Sequence, residues 1–302
     1  MNERKVDFAV KRTRKLDPLE NAMQLLFFLC GAVAVAFVLV ITVYLVVSGL
    51  PAIQKVGLGN FLLGTTWDSA NKTDPQYGIL PFILTSIYGT AGAILIGVPV
   101  GFMTAMFLAK AAPPKLAAVV RPAVDLLAGI PSVVYGMVGM VVLLPGIRGL
   151  FHLKAGDTLL AAILVLAVMI LPSIISVSET ALRAVPREYE EASLALGATE
   201  METYFRVSAP AAKSGIAAAV VLGVGRAIGE AMAIMMVAGN AANMPGLFRS
   251  VKFLTTAVAS EMSYAADGSL QKMALFSIGL VLFLFIMMIN VFLNLVLKRE
   301  KE

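Results

Sequence analysis

The stretch GRAIGEAMA, Gly225–Ala233, places Arg226 and Glu230 four residues apart in an otherwise apolar run. Charge at membrane depth costs about 2.5 kcal/mol or more and is normally turned toward protein or a water-filled cavity. On a continuous helix, residues four apart share a face, so the two side chains are expected to pair. Arg226 offers a planar fork of donors that suits the oxygens of an oxyanion. Two readings stand. Glu230 holds Arg226 neutralised and oriented within an anion pathway, or the pair is a structural bolt between helices. Gly225 and Gly229 beside it let another backbone approach closely.

The elements that must carry this pair are apolar spans. Hydrophobic residues make up 59% of the 302-residue chain and charged residues 14%, well below the roughly 25% charged of soluble domains. Apolar runs long enough to cross about 30 Å of hydrocarbon recur at Met23–Val47, Leu80–Ala109, Leu116–Leu144, Thr158–Val177, Gly215–Ala238 and Met273–Leu297. The expectation is an all-α integral membrane protein of about six transmembrane helices, spread over residues 23–297. Gly129-Ile130-Pro131 interrupts the third run, so that run is one broken helix or two shorter ones. Gly129, Pro131 and Gly136 are the candidate pathway break. Ser132 there is either a hydroxyl donor to substrate or an ordinary residue at a helix break. In the second run Thr85, Gly89, Ala93, Gly97, Gly101, Ala105 and Ala109 recur every fourth position. That stripe drifts around the helix and implies close contact with several neighbours.

Orientation follows from the basic residues. With the N-terminus inside, Arg4, Lys5, Lys11, Arg12, Arg14, Lys15, Lys110, Lys115, Arg121, Arg183, Arg187, Arg206, Lys213, Lys298, Arg299 and Lys301 fall on the cytoplasmic side. Lys55, Lys72, Arg148, Lys154, Arg249, Lys252 and Lys272 fall outside. The 1–22 segment and the 298–302 tail are therefore expected in the cytoplasm, and the first loop, 49–79, outside. Membrane-flanking positives account for the net charge of +5, and no nucleic-acid partner is implied. The basic start and span-length first run suit an uncleaved anchor. Cys30 and His152 are each the sole residue of their kind, which leaves no intrachain disulfide and no metal cluster to expect.

The cytoplasmic loop 182–213 is polar yet helix-forming. Pro186 suits the first turn of one helix, Gly197 its end, and Thr199 with Glu202 a capping box for a second. Tyr189, Ala192, Ser193 and Leu196 share a face, as do Met201, Tyr204, Phe205 and Ser208. Such faces on a solvent-side hairpin need a partner.

Glu191-Ala192-Ser193, then Gly197, then Pro210 resembles the "EAA" loop of permease subunits of bacterial ATP-binding-cassette importers. Ser193 stands where that pattern has alanine. The resemblance implies the type I importer permease fold and a coupling helix, with Glu190, Glu191, Ala192, Ser193, Leu196 and Gly197 facing an ATPase subunit. GRAIGEAMA, the segments FLLGTTWD (Phe61–Asp68) and YGILPFILTSIYGT (Tyr77–Thr90), and GIPSVVYGM (Gly129–Met137) are similar to phosphate permeases of the PstC type. Ser69 departs from the proline of that outer segment. The likeness runs from Phe61 to about Ala233.

It implies a non-enzymatic transport subunit in a bacterial inner membrane. Its expected companions are a PstA-like permease, two copies of an ATPase and a soluble phosphate-binding protein outside. The chain lacks GxxxxGK[ST], so ATP and Mg are expected on the ATPase subunits and no cofactor here. Import of another oxyanion (sulfate, molybdate, phosphonate), a gradient-driven carrier and a protein signalling phosphate status remain alternatives.

Overall fold

A computed structural model describes residues 18–69, 71 and 73–299. The basic residues Arg4 to Lys15, Lys72 and Lys301 lie outside the described residues, as do the side chains of Lys298 and Arg299.

The chain is built from helices α1 (Pro18–Val56), α2 (Leu58–Leu63), α3 (Leu80–Met106), α4 (Pro114–Gly129), α5 (Ser132–Val138), α6 (Leu144–Leu150) and α7 (Leu159–Arg183). After these come α8 (Arg187–Ala195), α9 (Glu200–Thr203), α10 (Ala209–Ala211), α11 (Lys213–Gly229), α12 (Met232–Val237), α13 (Leu254–Glu261) and α14 (Leu270–Arg299). Three π-helical turns, Phe107–Ala111, Gly139–Leu143 and Tyr204–Ser208, extend or join them. Strands β1 (Trp67–Asp68) and β2 (Gln76–Tyr77) pair as a small antiparallel hairpin, Trp67 opposite Tyr77.

The chain divides at Tyr44 into two compact units. In the first, α1 exposes Phe27, Phe28, Phe37 and Val40 on every side, a surface suited only to apolar surroundings. In the second, α7 is the centre. It buries Leu166, Met169, Ile170 and Ile174 almost completely, and α3 and α11 pack along it. The small-residue stripe of α3 makes this possible. A Cβ at Gly97 would stand 2.7 Å from Ile170, one at Gly101 2.8 Å from Ile174, and one at Gly89 2.4 Å from Phe253. The stripe thus meets both α7 and the chain ahead of α13, as its drift implies.

Among the described residues five helices are long and apolar enough to span a membrane, or six if the pair Glu200–Ala211 and Lys213–Gly229, bent by 73°, counts as one. The third run is interrupted at Gly129-Ile130-Pro131, as expected, into two pieces: α4 and the span-length helix Ser132–Leu150. Pro131 forces Ile130 out of the helical region, to ψ 127. The fifth run is not continuous from Gly215 to Ala238, because α11 stops at Gly229 and Glu230 takes ψ 129. The helix of α1 also runs past Gly49 to Val56. Gly49 has a reason to be glycine there: its Cβ would lie 2.9 Å from the Ser277 backbone, whose hydroxyl donates to the Gly49 carbonyl at 2.6 Å.

A polar knot fastens the β hairpin to α13. Lys252 and Glu261 form an ion pair at 2.5 Å, both largely buried. Trp67 Nε1 donates to the same carboxylate at 3.1–3.2 Å, Ser69 Oγ at 3.2 Å, and Gln271 Nε2 at 3.4 Å. Removing one member of a buried pair leaves the other charge stranded, at a cost of about 3–5 kcal/mol. Glu261→Ala should therefore lower the thermal midpoint of the purified protein markedly, and Glu261→Gln, which still accepts from Trp67, should lower it less. Equal midpoints for wild type and Glu261→Ala would show the knot to be dispensable.

Candidate functional site

Two regions hold the residues singled out from sequence. The first is the 182–213 hairpin. Pro186 precedes α8, Gly197 terminates it at φ +87, and Thr199 with Glu202 closes a complete capping box ahead of α9. The Gly197 and Ala198 amides donate back to the Leu194 and Ser193 carbonyls at 2.9 and 3.3 Å, which satisfies carbonyls orphaned at the helix end.

Of the six residues expected to face a partner, two do not. Glu190 turns inward, where it pairs with Lys110 and accepts from Ser208 Oγ at 2.7 Å. Burial pushes its carboxyl pKa up, but the hydrogen bonds from Lys110 and Ser208 and the charges of Lys110 and Arg187 outweigh that. The carboxyl is held below its ordinary range. Ser193 is likewise turned in, its hydroxyl 2.9 Å from that of Thr203. Of the face expected to need a partner on the second helix, Tyr204 and Ser208 find theirs within the chain. Tyr204 Oη donates to the Lys110 carbonyl at 3.2 Å, and Ser208 is buried. Glu191, Ala192, Leu196 and Gly197 remain outward, with Tyr189, Met201 and Phe205 beside them. Leu196 is 90% exposed. Inward polar contacts thus fasten the hairpin to the end of α3 while its apolar tip stays uncovered.

A Cβ at Gly197 would meet nothing within 4 Å, so substitution there acts through backbone conformation alone. Gly197→Val should leave insertion intact but disfavour the left-handed φ by about 1–2 kcal/mol, and reshape the uncovered tip. Circular dichroism should be unchanged, and binding of any partner at the tip should weaken roughly 5–30-fold. Undiminished binding would remove the tip's role.

The second region surrounds Arg226. The expected pairing with Glu230 is not formed. Glu230 lies in the break after α11, and its Oε1 accepts the Ala233 amide at 2.9 Å. That amide is one of the orphan donors at the start of α12, and a carboxylate suits it well. The Glu230 carbonyl accepts from Thr255 Oγ1 at 2.7 Å. Arg226, half-buried on α11, has Nη1 3.5 Å from Ser173 Oγ of α7. Tyr135 Oη of α5 donates to the Leu127 carbonyl at 2.7 Å, across the α4–α5 break. Among the described residues no carboxylate lies within ion-pairing distance of Arg226.

Of the other candidates, Gly129 ends α4 in open space, Pro131 precedes α5, and Ser132 opens α5 half-buried. Gly136 is not part of the break. It lies within α5 where α12 crosses, and its Cβ would stand 2.9 Å from Ala233 Cα. Ser173 and Tyr135 escaped sequence reasoning. The available signal for Ser173 was a hydroxyl directly after Pro172 in an apolar run.

Comparison with known proteins shows the family of the chain. Residues 97–301 match the family model described as the binding-protein-dependent transport system inner membrane component. The chain is 40% identical over 287 residues to a probable ABC transporter permease, YqgH, of Bacillus subtilis, covering 93% of this chain and 92% of that one. It is 37% identical over 284 residues to the phosphate transport system permease protein PstC of Haemophilus influenzae, covering 87% and 88%. Among solved structures, the inward-facing MetNI methionine ABC transporter aligns with a TM-score of 0.58 at 21% identity, over 74% of this chain and 95% of that one. That likeness carries the fold alone, the type I importer permease fold. The chain belongs to the inner membrane components of binding-protein-dependent transport systems, as a multi-pass permease subunit of an ATP-binding-cassette transporter.

Proposed function

We propose that this chain is one of two permease subunits of an ATP-driven importer of inorganic phosphate, with Arg226 as the anion ligand of its pathway. The observation that carries the reading is the half-buried Arg226 guanidinium with no carboxylate within ion-pairing distance among the described residues. A charge held at depth without a counterion invites an anion to neutralise it. A guanidinium fork beside the Ser173 hydroxyl offers donors suited to phosphate oxygens. The PstC name of several relatives supports phosphate as that anion. Glu230 then shapes the site through the start of α12, and Ser132, at the mouth of the broken helix, supplies a further hydroxyl.

The partners follow from this reading. A PstA-like permease completes the pathway, two ATPase subunits carrying ATP and Mg dock on the α8–α9 hairpins, and a soluble phosphate-binding protein delivers substrate from outside. Both termini and the hairpin lie in the cytoplasm of a bacterial inner membrane. ATP closes the ATPase dimer, brings the hairpins together and opens the pathway outward; hydrolysis resets it. Such alternation needs two discrete arrangements biased by nucleotide and substrate.

The test is reconstitution of the four-component complex in proteoliposomes. Phosphate-loaded binding protein should stimulate ATP hydrolysis and drive ATP-dependent uptake of radiolabelled phosphate, with excess sulfate competing poorly. Sulfate or phosphonate displacing phosphate would reassign the substrate. Uptake driven by an ion gradient without ATP would remove the reading.

A further inference from the structure

Beneath the hairpin, three elements meet at one buried carboxylate. Glu179 of α7 is 8% exposed. Its Oε1 accepts Arg121 Nε of α4 at 2.6 Å and Arg183 Nε of α7 at 2.9 Å. Both guanidiniums also put Nη2 on the Leu108 carbonyl, at 3.0 and 3.1 Å. Leu108 belongs to the π-helical turn Phe107–Ala111 that ends α3, and π turns leave backbone carbonyls available and recur at functional sites. Two planar forks therefore bridge one carboxylate and one carbonyl, a geometry that fixes α4 against α7.

Both ends of this joint lead to the regions already described. On the hairpin side, Lys110, two residues beyond Leu108 on the same turn, pairs with Glu190 of α8, and its carbonyl accepts Tyr204. On the other side, α4 carries Leu127, whose carbonyl holds Tyr135 across the α4–α5 break. An open cavity of about 310 Å³ adjoins the forks, lined also by Ser176, Thr180 and Asp125. Asp125 is four residues beyond Arg121 on α4, the spacing of a helical ion pair, and it makes no ion pair among the described residues. Arg121 thus has a second partner within reach on its own helix.

We propose that Glu179 is the joint through which movement of the α8 hairpin reaches the α4–α5 break, with Asp125 as the partner Arg121 takes when the joint opens. The proposal rests on the hairpin being the docking site of the ATPase. Glu179 is a positioning residue in it, with no contact to substrate. Movement of α8 pulls Lys110 and its turn and shifts the Leu108 carbonyl. Arg121 then exchanges Glu179 for Asp125, and α4 is released to move the break. Two discrete arrangements of one side chain give the bistable element that coupling between distant sites requires.

The experiment uses the assembled complex in a Cys30→Ser background, with spin labels at Val168→Cys paired with either Ala195→Cys or Val133→Cys. The first pair reads α8 against α7 and the second reads α5 against α7. In the otherwise wild-type complex, trapping with ATP and vanadate should change both distances. Glu179→Gln should keep the 168–195 change and lose the 168–133 change, and transport per ATP hydrolysed should fall about fivefold or more. Asp125→Asn should likewise blunt the 168–133 change. A Glu179→Gln complex that keeps both changes and wild-type transport per ATP overturns the joint while leaving docking intact. Absence of the 168–195 change without any substitution removes the docking reading and the joint with it. If Glu179→Gln does not assemble, Arg121→Gln, which leaves the Arg183 pair in place, is read by the same two distances and decides in the same way.

Discussion

Arg226→Gln should abolish phosphate uptake while the permease still inserts, assembles and hydrolyses ATP. The side chain holds no carboxylate in place, and its one described hydrogen bond, to Ser173 at 3.5 Å, is long. Replacing a guanidinium by a neutral amide therefore leaves little of this chain's own packing undone, and the effect falls on the anion. Losing the charge of a charge-assisted contact removes about 1.5–3 kcal/mol, and the site no longer carries the cation that attracts phosphate. Arg226→Lys keeps the charge but not the fork, so partial uptake with a raised KM is expected. The double variant Arg226→Gln/Glu230→Gln is decisive. If the two formed a structural pair, removing both charges would restore function. Glu230 instead caps α12 through Ala233, so the double variant should stay silent. Uptake recovered in an assembled double variant would reduce Arg226 to a structural role.

That pair also marks where sequence reading stops. The four-residue spacing of Arg226 and Glu230 presumes an unbroken helix, and nothing in GRAIGEAMA announces the break. Glu230 is drawn off by the unsatisfied amides at the start of α12, a competition that exists only once α12 begins there. In the third run the break at Gly129-Ile130-Pro131 was legible, but the piece that is long enough to span was not. Apolar residues continue on both sides of Ile130-Pro131, so composition cannot say which side crosses the membrane, and Ser132–Leu150 proved to be the span-length piece. By contrast, Gly197 and the Thr199–Glu202 capping box were legible because their physics is local: a left-handed turn and two orphan amides within four residues. The stripe on α3 was legible because closeness of backbones leaves small residues at a fixed spacing. Ser173, Tyr135 and the Glu261 knot were not. Trp67 and Glu261 lie 194 residues apart, and no periodicity connects them. Glu190 was grouped with its neighbours by the resemblance and Ser193 by its helical face, and only Lys110, Ser208 and Thr203 decide that both turn in.

Leu196→Asp should cost the complex its ATPase subunits while leaving the permease itself unchanged. Leu196 is 90% exposed at the end of α8 and follows a helix with no fully buried residue. An aspartate there stays in water, and its charge at the C-terminus of α8 costs the chain only about 0.3–1 kcal/mol. At a docked interface the same side chain becomes an anchor, and burying a lone carboxylate in its place should cost about 2–4 kcal/mol, the range of interface hot spots. Association should weaken from roughly 30-fold to several hundredfold, enough to lose the ATPase during purification and to silence uptake. Glu190→Gln attacks the same assembly from the inner side, by loosening the hairpin from Lys110, and should weaken docking less because the apolar tip survives. Orientation is read from the same position. Leu196→Cys, in a Cys30→Ser background, should resist a membrane-impermeant thiol reagent added to intact cells and react in inverted vesicles. A Leu196→Asp complex that retains its ATPase at wild-type stoichiometry would show that the exposed tip docks something else, and labelling from outside would place the hairpin on the wrong face of the membrane for any nucleotide-driven partner.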